Sequence, residues 1–253
     1  MKRTQVKRVL ASKPRTATEI QPYVKTFKRG SDEACREIKM LLNLEASPIR
    51  LLAPKILGYS KAKPGTYMID LPDKKGTESI ALSDGGDKLL TFSWNEDNEP
   101  YLQFLEVMLQ IATFFAYSRE IWHFSHNDLH MENILVRPCE KKMLFKFKVR
   151  GEEFTYLAKR VHVQIIDFEK ADFGGVNQAS TTEDNKHFME LWNSLKSKAP
   201  FQIDSNDAFG YAWSDFMKKL RDDPASSLNS PLFYLLHPRR TITTAEILDI
   251  ELK

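Results

Sequence analysis

The stretch that decides the fold is SHNDLHMENILV, residues 125–136. It places a histidine, an aspartate and an asparagine in a short polar segment and then runs into strand-forming residues. Asn133 follows Asp128 by five positions, and both side chains offer the hard oxygen atoms that suit a magnesium ion. The stretch is therefore either part of an active site or an ordinary polar turn between a helix and a strand.

A helix and a strand are predicted on either side of this stretch. The helix begins near Asn98 and Pro100 and runs to about Glu120, with apolar residues on most of its surface. One narrow polar face remains, made of Gln103, Glu106, Gln110 and Thr113. Such a pattern indicates a mostly buried helix. Downstream, the apolar run VQIID ends at Asp167, where a carboxylate at the end of a strand can project into a cleft.

The remaining pattern predicts strands and one helix first, then mainly helices. Near the N-terminus it predicts a strand from Tyr23 to Phe27, a helix capped by Ser31 or Asp32, and a strand from Thr66 to Leu71. Residues 72–88 hold turn formers and are predicted to be a loop or a lobe connection. A β-hairpin is predicted at about 143–157, and helices from Thr182 onward and over residues 208–220. This order indicates an α+β fold.

Composition excludes several classes of protein. The 253 residues are 42% hydrophobic, which is enough for one large core or for two lobes that share a cleft. A net charge of only +3 does not indicate nucleic-acid binding. The two cysteines, Cys35 and Cys139, lack metal-ligand spacing and favour a reducing compartment. No apolar run has the length of a membrane span, so we expect a soluble intracellular protein.

The two polar motifs together resemble the catalytic and metal-binding loops of the protein-kinase-like fold. The first is His126-Asn127-Asp128-Leu129-His130 with Asn133-Ile134-Leu135-Val136, and the second is Ile165-Ile166-Asp167-Phe168. With the preceding helix, they are similar to atypical kinases, especially haspin-like kinases and the serine/threonine kinases of large DNA viruses. The resemblance covers residues 100–170 well and the rest loosely. It implies a bilobal fold with a reduced, strand-rich N-lobe and a helical C-lobe.

The resemblance also implies roles for individual residues and two cofactors, ATP and Mg²⁺. Asp128 matches the catalytic base, Asn133 and Asp167 match the magnesium ligands, and His126 matches a residue that braces the catalytic loop. The phosphate-binding lysine and its glutamate partner are expected at Lys25 and Glu37, with Lys28 and Glu33 as alternatives. Further nucleotide contacts are expected at Asp70 and Leu71, where the second predicted strand ends.

Four features depart from the family pattern. Residues 1–29 contain no glycine, although a glycine-rich loop is expected there. Asn127 stands where the family has an arginine that binds a phosphorylated activation loop. Glu169 stands where the family has a glycine after Asp167-Phe168. The gap between Asn133 and Asp167 is long, and the predicted hairpin fills it. Asp184 is either the helix aspartate that holds the catalytic loop or the N-cap of its own helix.

The sequence thus predicts an N-lobe at 1–72, a hinge and connecting loop at 73–98 and a C-lobe at 99–253. The expected function is ATP- and magnesium-dependent phosphate transfer to serine or threonine of a protein substrate. Two alternatives stay open: a small-molecule kinase of the choline or aminoglycoside phosphotransferase type, and a pseudokinase scaffold. A protein partner that completes the thin N-lobe is a further expectation, whereas membrane and nucleic-acid partners are not indicated.

Overall fold

The computed structural model describes residues 7–8, 22–94, 100–149, 151–173, 178–198, 218 and 251–252. Several sequence-based predictions therefore lie outside the described residues. They are most of the segment before residue 22, where the family pattern has a glycine-rich loop, nearly all of the helix predicted at 208–220, and most of the predicted C-lobe after that helix. Within the described residues, no helix is both long and apolar enough to pass through a membrane.

The N-terminal part is a four-stranded antiparallel sheet with one helix. The strand order is β1-β2-β4-β3. The elements are β1 (Lys7–Arg8), β2 (Tyr23–Lys28), α1 (Asp32–Glu45), β3 (Ile56–Tyr59) and β4 (Thr77–Leu82). Helix α1 begins as predicted, because the Ser31 side chain accepts a hydrogen bond from the backbone N–H of Ala34 and so caps the first turn.

The strand predicted at Thr66–Leu71 does not form, and that prediction is wrong. The segment instead turns over β3, and the backbone N–H of Ile69 donates to Leu57 O at 2.8 Å. The Ile69 carbonyl lies where a β-carbon on Gly58 would be, at 2.5 Å, so this close approach needs a glycine. The third long strand of the sheet is β4, within the stretch predicted to be a loop, and it pairs with β2 on one side and β3 on the other.

The C-terminal part combines two helices with two small sheets. The elements are β5 (Asp87–Lys88), α2 (Pro100–Trp122), β6 (Ile134–Pro138), β7 (Met143–Val149), β8 (Glu152–Ala158), β9 (Val161–Ile165), α3 (Gln178–Lys198) and β10 (Glu251–Leu252). One sheet has the order β5-β6-β9 and the other β10-β8-β7. The predicted helix before the catalytic loop and the predicted hairpin both form. The α+β class is confirmed, with the strand-rich part first and the longer helices after it.

Helix α2 lies at the centre of the C-terminal part, and its polar face is buried as well. Glu106 accepts hydrogen bonds from the backbone N–H groups of Arg160 and Val161 at 3.0 and 3.1 Å. Gln110 donates to Val161 O at 2.9 Å and accepts from the N–H of Val163 at 3.0 Å. The polar stripe therefore satisfies the backbone of β9 rather than facing water, since buried backbone groups need partners.

Candidate active site

Strand pairing brings the two sequence motifs together. Strands β6 and β9 are antiparallel, and Ile134 lies opposite Ile165. The backbone N–H of Ile166 consequently donates to Asn133 O at 3.0 Å, which places Asn133 beside Asp167. The chain separates these two residues widely, and only the pairing of β6 with β9 makes them neighbours.

Lys25 is the positive centre of the site. The alternation of β2 turns Lys25 and Phe27 inward, whereas Lys28 faces solvent. The Lys25 ammonium group lies 2.8 Å from Asp167 Oδ1, 2.9 Å from Glu169 Oε1 and 3.3 Å from Glu37 Oε2. Burial opposes the charge on Lys25, but the Glu37 and Asp167 carboxylates outweigh burial and raise its pKa above the ordinary value.

Glu37 links α1 to the segment after β9. It lies on the buried stripe of α1 between Ala34 and Leu41, and only 1% of it is exposed. Its carboxylate accepts a hydrogen bond from the N–H of Phe168 at 2.5 Å. Burial raises the pKa of Glu37 to about 7, although Lys25 acts in the opposite direction. Glu33, the alternative partner, lies one turn earlier in the same helix and is exposed.

His126 and Phe168 pack together beneath the site residues. His126 is fully buried, and its Nε2 lies 3.1 Å from Ile166 O. Its ring packs on Phe168 with centroids 5.5 Å apart, and Phe168 stacks on Phe114 of α2 at 6.0 Å. Burial lowers the pKa of His126, so the ring stays uncharged at neutral pH. His126 therefore joins the loop before β6 to the segment after β9, and its bracing role stays a prediction.

Asp184 anchors the loop that carries Asp128. One carboxylate oxygen accepts from Ser125 Oγ at 2.8 Å and from the N–H of His126 at 3.0 Å. The other accepts from the N–H of Asn127 at 2.9 Å. Helix α3 begins at Gln178, so Asp184 is not its N-cap. Of the two interpretations of Asp184, the structure therefore supports the anchoring role.

The side chain of Asn133 turns back onto the backbone of the loop that carries Asp128. The Asn133 amide nitrogen donates to Asp128 O at 3.0 Å. Because the nitrogen is used in this hydrogen bond, Asn133 Oδ1 is the side-chain atom that could bind a metal ion. Asp128 is partly exposed, and its Oδ2 lies 2.8 Å from the ammonium group of Lys170. Asn127 adopts a left-handed conformation with φ of 59°, which asparagine tolerates better than most residues.

The donor set fits magnesium. Within the described residues, no group of three or more His, Cys, Asp or Glu side chains could hold a metal ion alone. Magnesium does not need one, because it commonly binds one or two protein oxygen ligands together with substrate phosphates and water. Asn133 Oδ1 and the Asp167 carboxylate supply such oxygens next to Lys25.

Two of the expected nucleotide contacts are not brought to this cluster. Asp70 is exposed, and its carboxylate accepts a hydrogen bond from the N–H of Gly65 at 3.1 Å. Leu71 follows it in the same irregular segment. The expectation depended on a strand at 66–71. Because β4 is the strand that leaves the N-terminal sheet toward the C-terminal part, the connection begins after Leu82 instead.

The linking segment after β4 runs close against the C-terminal part. Gly86 has φ of 102°, and a β-carbon there would lie 2.5 Å from Val136 O. Only glycine combines that backbone conformation with such a close approach. The connection between the two parts therefore runs through residues 83–86, inside the stretch predicted as a hinge and connecting loop.

Sequence reasoning missed the functional potential of Glu169 and Lys170. Glu169 contacts Lys25, and Lys170 contacts Asp128, so each joins a predicted site residue. Arg36 of α1 also donates to Glu169 O at 2.6 Å. The available signal was two charged residues directly after Asp167-Phe168, where the family pattern has a glycine. Which partners they reach depends on the 3₁₀ turn at Phe168–Lys170.

Comparison with known proteins finds similarity to solved structures. A solved structure of the Rad53 kinase domain and SCD2 in complex with AMPPNP matches 86% of this chain and 80% of that chain. The sequence identity is 20% and the TM-score is 0.49, a level that says nothing of activity or substrate. No protein-family model and no curated protein sequence matches the chain.

The described residues form the α+β arrangement expected from the sequence, with the site between the N-terminal sheet and the segments around β6 and β9. An inward lysine of the N-terminal sheet pairs with a buried helix glutamate, and both meet the aspartate at the end of β9. The loop before β6 carries a second aspartate and an asparagine, and a buried aspartate of α3 holds it in place. These contacts join distant parts of the chain into one cleft.

Proposed function

We propose that this protein transfers the γ-phosphoryl group of ATP, with magnesium, to a serine or threonine hydroxyl of a protein substrate. The observation that carries the proposal is the contact of Lys25 with both Glu37 and Asp167, beside the loop that holds Asp128 and Asn133. Phosphoryl transfer depends on positioning and charge stabilisation, and these residues provide a cation, metal ligands and a base in one place.

Each side chain has a separate task in this proposal. Lys25 binds phosphate oxygens, and Glu37 holds Lys25 in place. Asn133 and Asp167 would hold magnesium, which neutralises phosphate charge when bound. Asp128 orients the acceptor hydroxyl and receives its proton. The hydroxyl oxygen forms a bond to the γ-phosphorus while the bond to the bridging oxygen breaks, so ADP leaves.

The test is phosphate transfer from labelled ATP and magnesium to casein, histone and the protein itself. Wild type should transfer label to protein, and Asp128→Asn should lower kcat by about 10²-fold to 10⁴-fold, because a positioned base contributes about that much. Binding of ATP should be nearly unchanged in this variant, since Asp128 does not contact Lys25. Asp172→Asn is a matched control, because Asp172 is exposed just beyond the same cleft.

Two results would contradict the proposal. Transfer to choline or an aminoglycoside, with none to protein, would identify a small-molecule kinase instead. Glu169 gives that alternative some support, because an acidic residue after Asp167-Phe168 resembles that branch of the fold. Absence of both transfer and nucleotide binding in a folded sample would identify a pseudokinase scaffold.

A further inference from the structure

Lys170 occupies a position that the proposed mechanism does not use. It ends the short 3₁₀ turn Phe168–Lys170, and its ammonium group lies 2.8 Å from Asp128 Oδ2. Its backbone carbonyl accepts a hydrogen bond from the side-chain nitrogen Nδ2 of Asn127 at 3.1 Å. The backbone of Lys170 thus contacts the side chain of Asn127, and its ammonium group contacts the side chain of Asp128.

Charge in the cleft makes this contact important. Four carboxylates, those of Glu37, Asp128, Asp167 and Glu169, line the region that would receive the phosphates of ATP. Lys25 contacts three of them but not Asp128. Without a second cation, the Asp128 carboxylate would face the negative phosphate directly, and at such short range like charges repel strongly.

His130 also lies near Asp128, but it is farther away than Lys170. Its Nε2 lies 4.0 Å from Asp128 Oδ2, which is at the limit of an ion pair. Its Nδ1 accepts a hydrogen bond from the backbone N–H of Glu132 at 3.2 Å. Its Nε2 also lies 3.2 Å from the side-chain nitrogen of Asn133, so both ring nitrogens have partners within the loop itself. Lys170 makes the shorter contact with the Asp128 carboxylate, at 2.8 Å.

We propose that Lys170 is a positioning residue for Asp128, an inference that rests on the function proposed above. Its ammonium group holds Oδ2, which leaves Oδ1 to receive the acceptor hydroxyl. Two of its three N–H donors remain to face phosphate oxygens near the reacting centre. The lysine therefore orients the base and reduces its repulsion with the phosphate at the same time.

The test compares Lys170→Gln and Lys170→Arg with wild type in the labelled-ATP assay. Lys170→Gln should lower kcat by about 10- to 100-fold, a part of what a positioned base contributes, and should leave the KM for ATP within about twofold. Lys170→Arg keeps the charge and should restore most of the turnover. Lys142→Gln, an exposed site before β7, removes the same charge elsewhere and should match wild type.

The outcomes separate this inference from the proposed function. Inactive wild type would overturn the proposed function and this inference with it. Active wild type with unchanged kcat in Lys170→Gln would overturn the inference alone. A rise in kcat would also overturn it, because the ion pair would then mask Asp128 rather than position it. The side chain of Lys170 is 63% exposed, so the variants should fold normally.

Discussion

One buried carboxylate, that of Asp184, fixes the geometry of the loop that carries Asp128. Asp184 accepts hydrogen bonds from two consecutive backbone N–H groups, those of His126 and Asn127, and from the Ser125 hydroxyl. Arg119 of α2 lies 3.7 Å from the same carboxylate. A carboxylate with several donors is stable when buried, whereas each donor left without its partner is costly.

Asp184→Ala should therefore destabilise the protein. We expect the free energy of unfolding to fall by roughly 3 kcal/mol, because the change leaves three buried or part-buried donors without their acceptor and removes the carboxylate beside Arg119. Turnover should fall as well, since the loop that carries Asp128 loses its anchor. Urea unfolding measures the first effect. Glu183→Ala, at the exposed neighbouring position on α3, should change stability by less than about 0.5 kcal/mol; an equal loss in both variants would contradict the anchoring role.

At the scale of secondary-structure elements, β9 connects the two parts of the molecule. His162 of β9 is buried, and its Nε2 donates to Leu51 O at 2.5 Å, in the short 3₁₀ turn Arg50–Leu52 that follows α1. Its Nδ1 accepts from Arg137 Nε at 3.2 Å. This pair of contacts requires the neutral ring. Burial, with Arg137 nearby, lowers the pKa of His162 to about 4.

This pKa predicts that stability depends on pH. The unfolded chain binds a proton at His162 below about pH 6.5, whereas the folded protein does so only near pH 4, so acid favours unfolding in that interval. We expect His162 to lower the free energy of unfolding by about 2 kcal/mol between pH 7 and pH 5. The measurement is urea unfolding at several pH values.

His162→Gln is the control for this pH dependence. Glutamine keeps a donor for Leu51 O and an acceptor for Arg137 but does not titrate in this range. Between pH 7 and pH 5, the free energy of unfolding of this variant should fall by about 2 kcal/mol less than that of wild type. Parallel curves for the two proteins would show that the His162 ring does not become protonated on unfolding.

At the scale of the whole molecule, the segment 167–170 joins both parts across the cleft. Toward the N-terminal part, Asp167 and Glu169 contact Lys25, and Phe168 N donates to Glu37. Toward the catalytic loop, Lys170 contacts Asp128. A nucleotide bound at Lys25 would therefore strengthen contacts on both sides of the cleft, and it should stabilise the folded protein by mass action.

Lys25→Met should remove most of that nucleotide effect. At an ATP concentration 100 times its Kd, with magnesium, wild type should gain about 2.7 kcal/mol of stability and a higher Tm. Lys28→Met is the matched control on the same strand, because Lys28 faces solvent and should keep the full gain. Differential scanning fluorimetry with and without ATP compares the three proteins. A full gain in Lys25→Met would exclude Lys25 as the phosphate ligand.

Local patterns predicted most elements near the site and several of its residues. The alternation of β2 favours Lys25 over Lys28, since only Lys25 falls on the inward side of the strand. The helical period does not separate Glu37 from Glu33, because residues four apart share one face of α1, and the packing of the first turn decides that Glu37 is the buried one. The same reasoning failed at residues 66–88. There, two short segments had comparable strand patterns, and strand pairing with both β2 and β3 selected Thr77–Leu82.

The sequence by itself determined the α+β class, the spacing of Asp128 and Asn133, and the position of Asp167 at the end of a strand. These depend on neighbours along the chain, through periodicity and turn chemistry. Only the tertiary structure decided that Asp184 anchors the loop, that Glu169 and Lys170 join the site, and that Asp70 and Leu71 lie apart from it. Those outcomes depend on strand register and helix packing between distant segments, which no local pattern encodes.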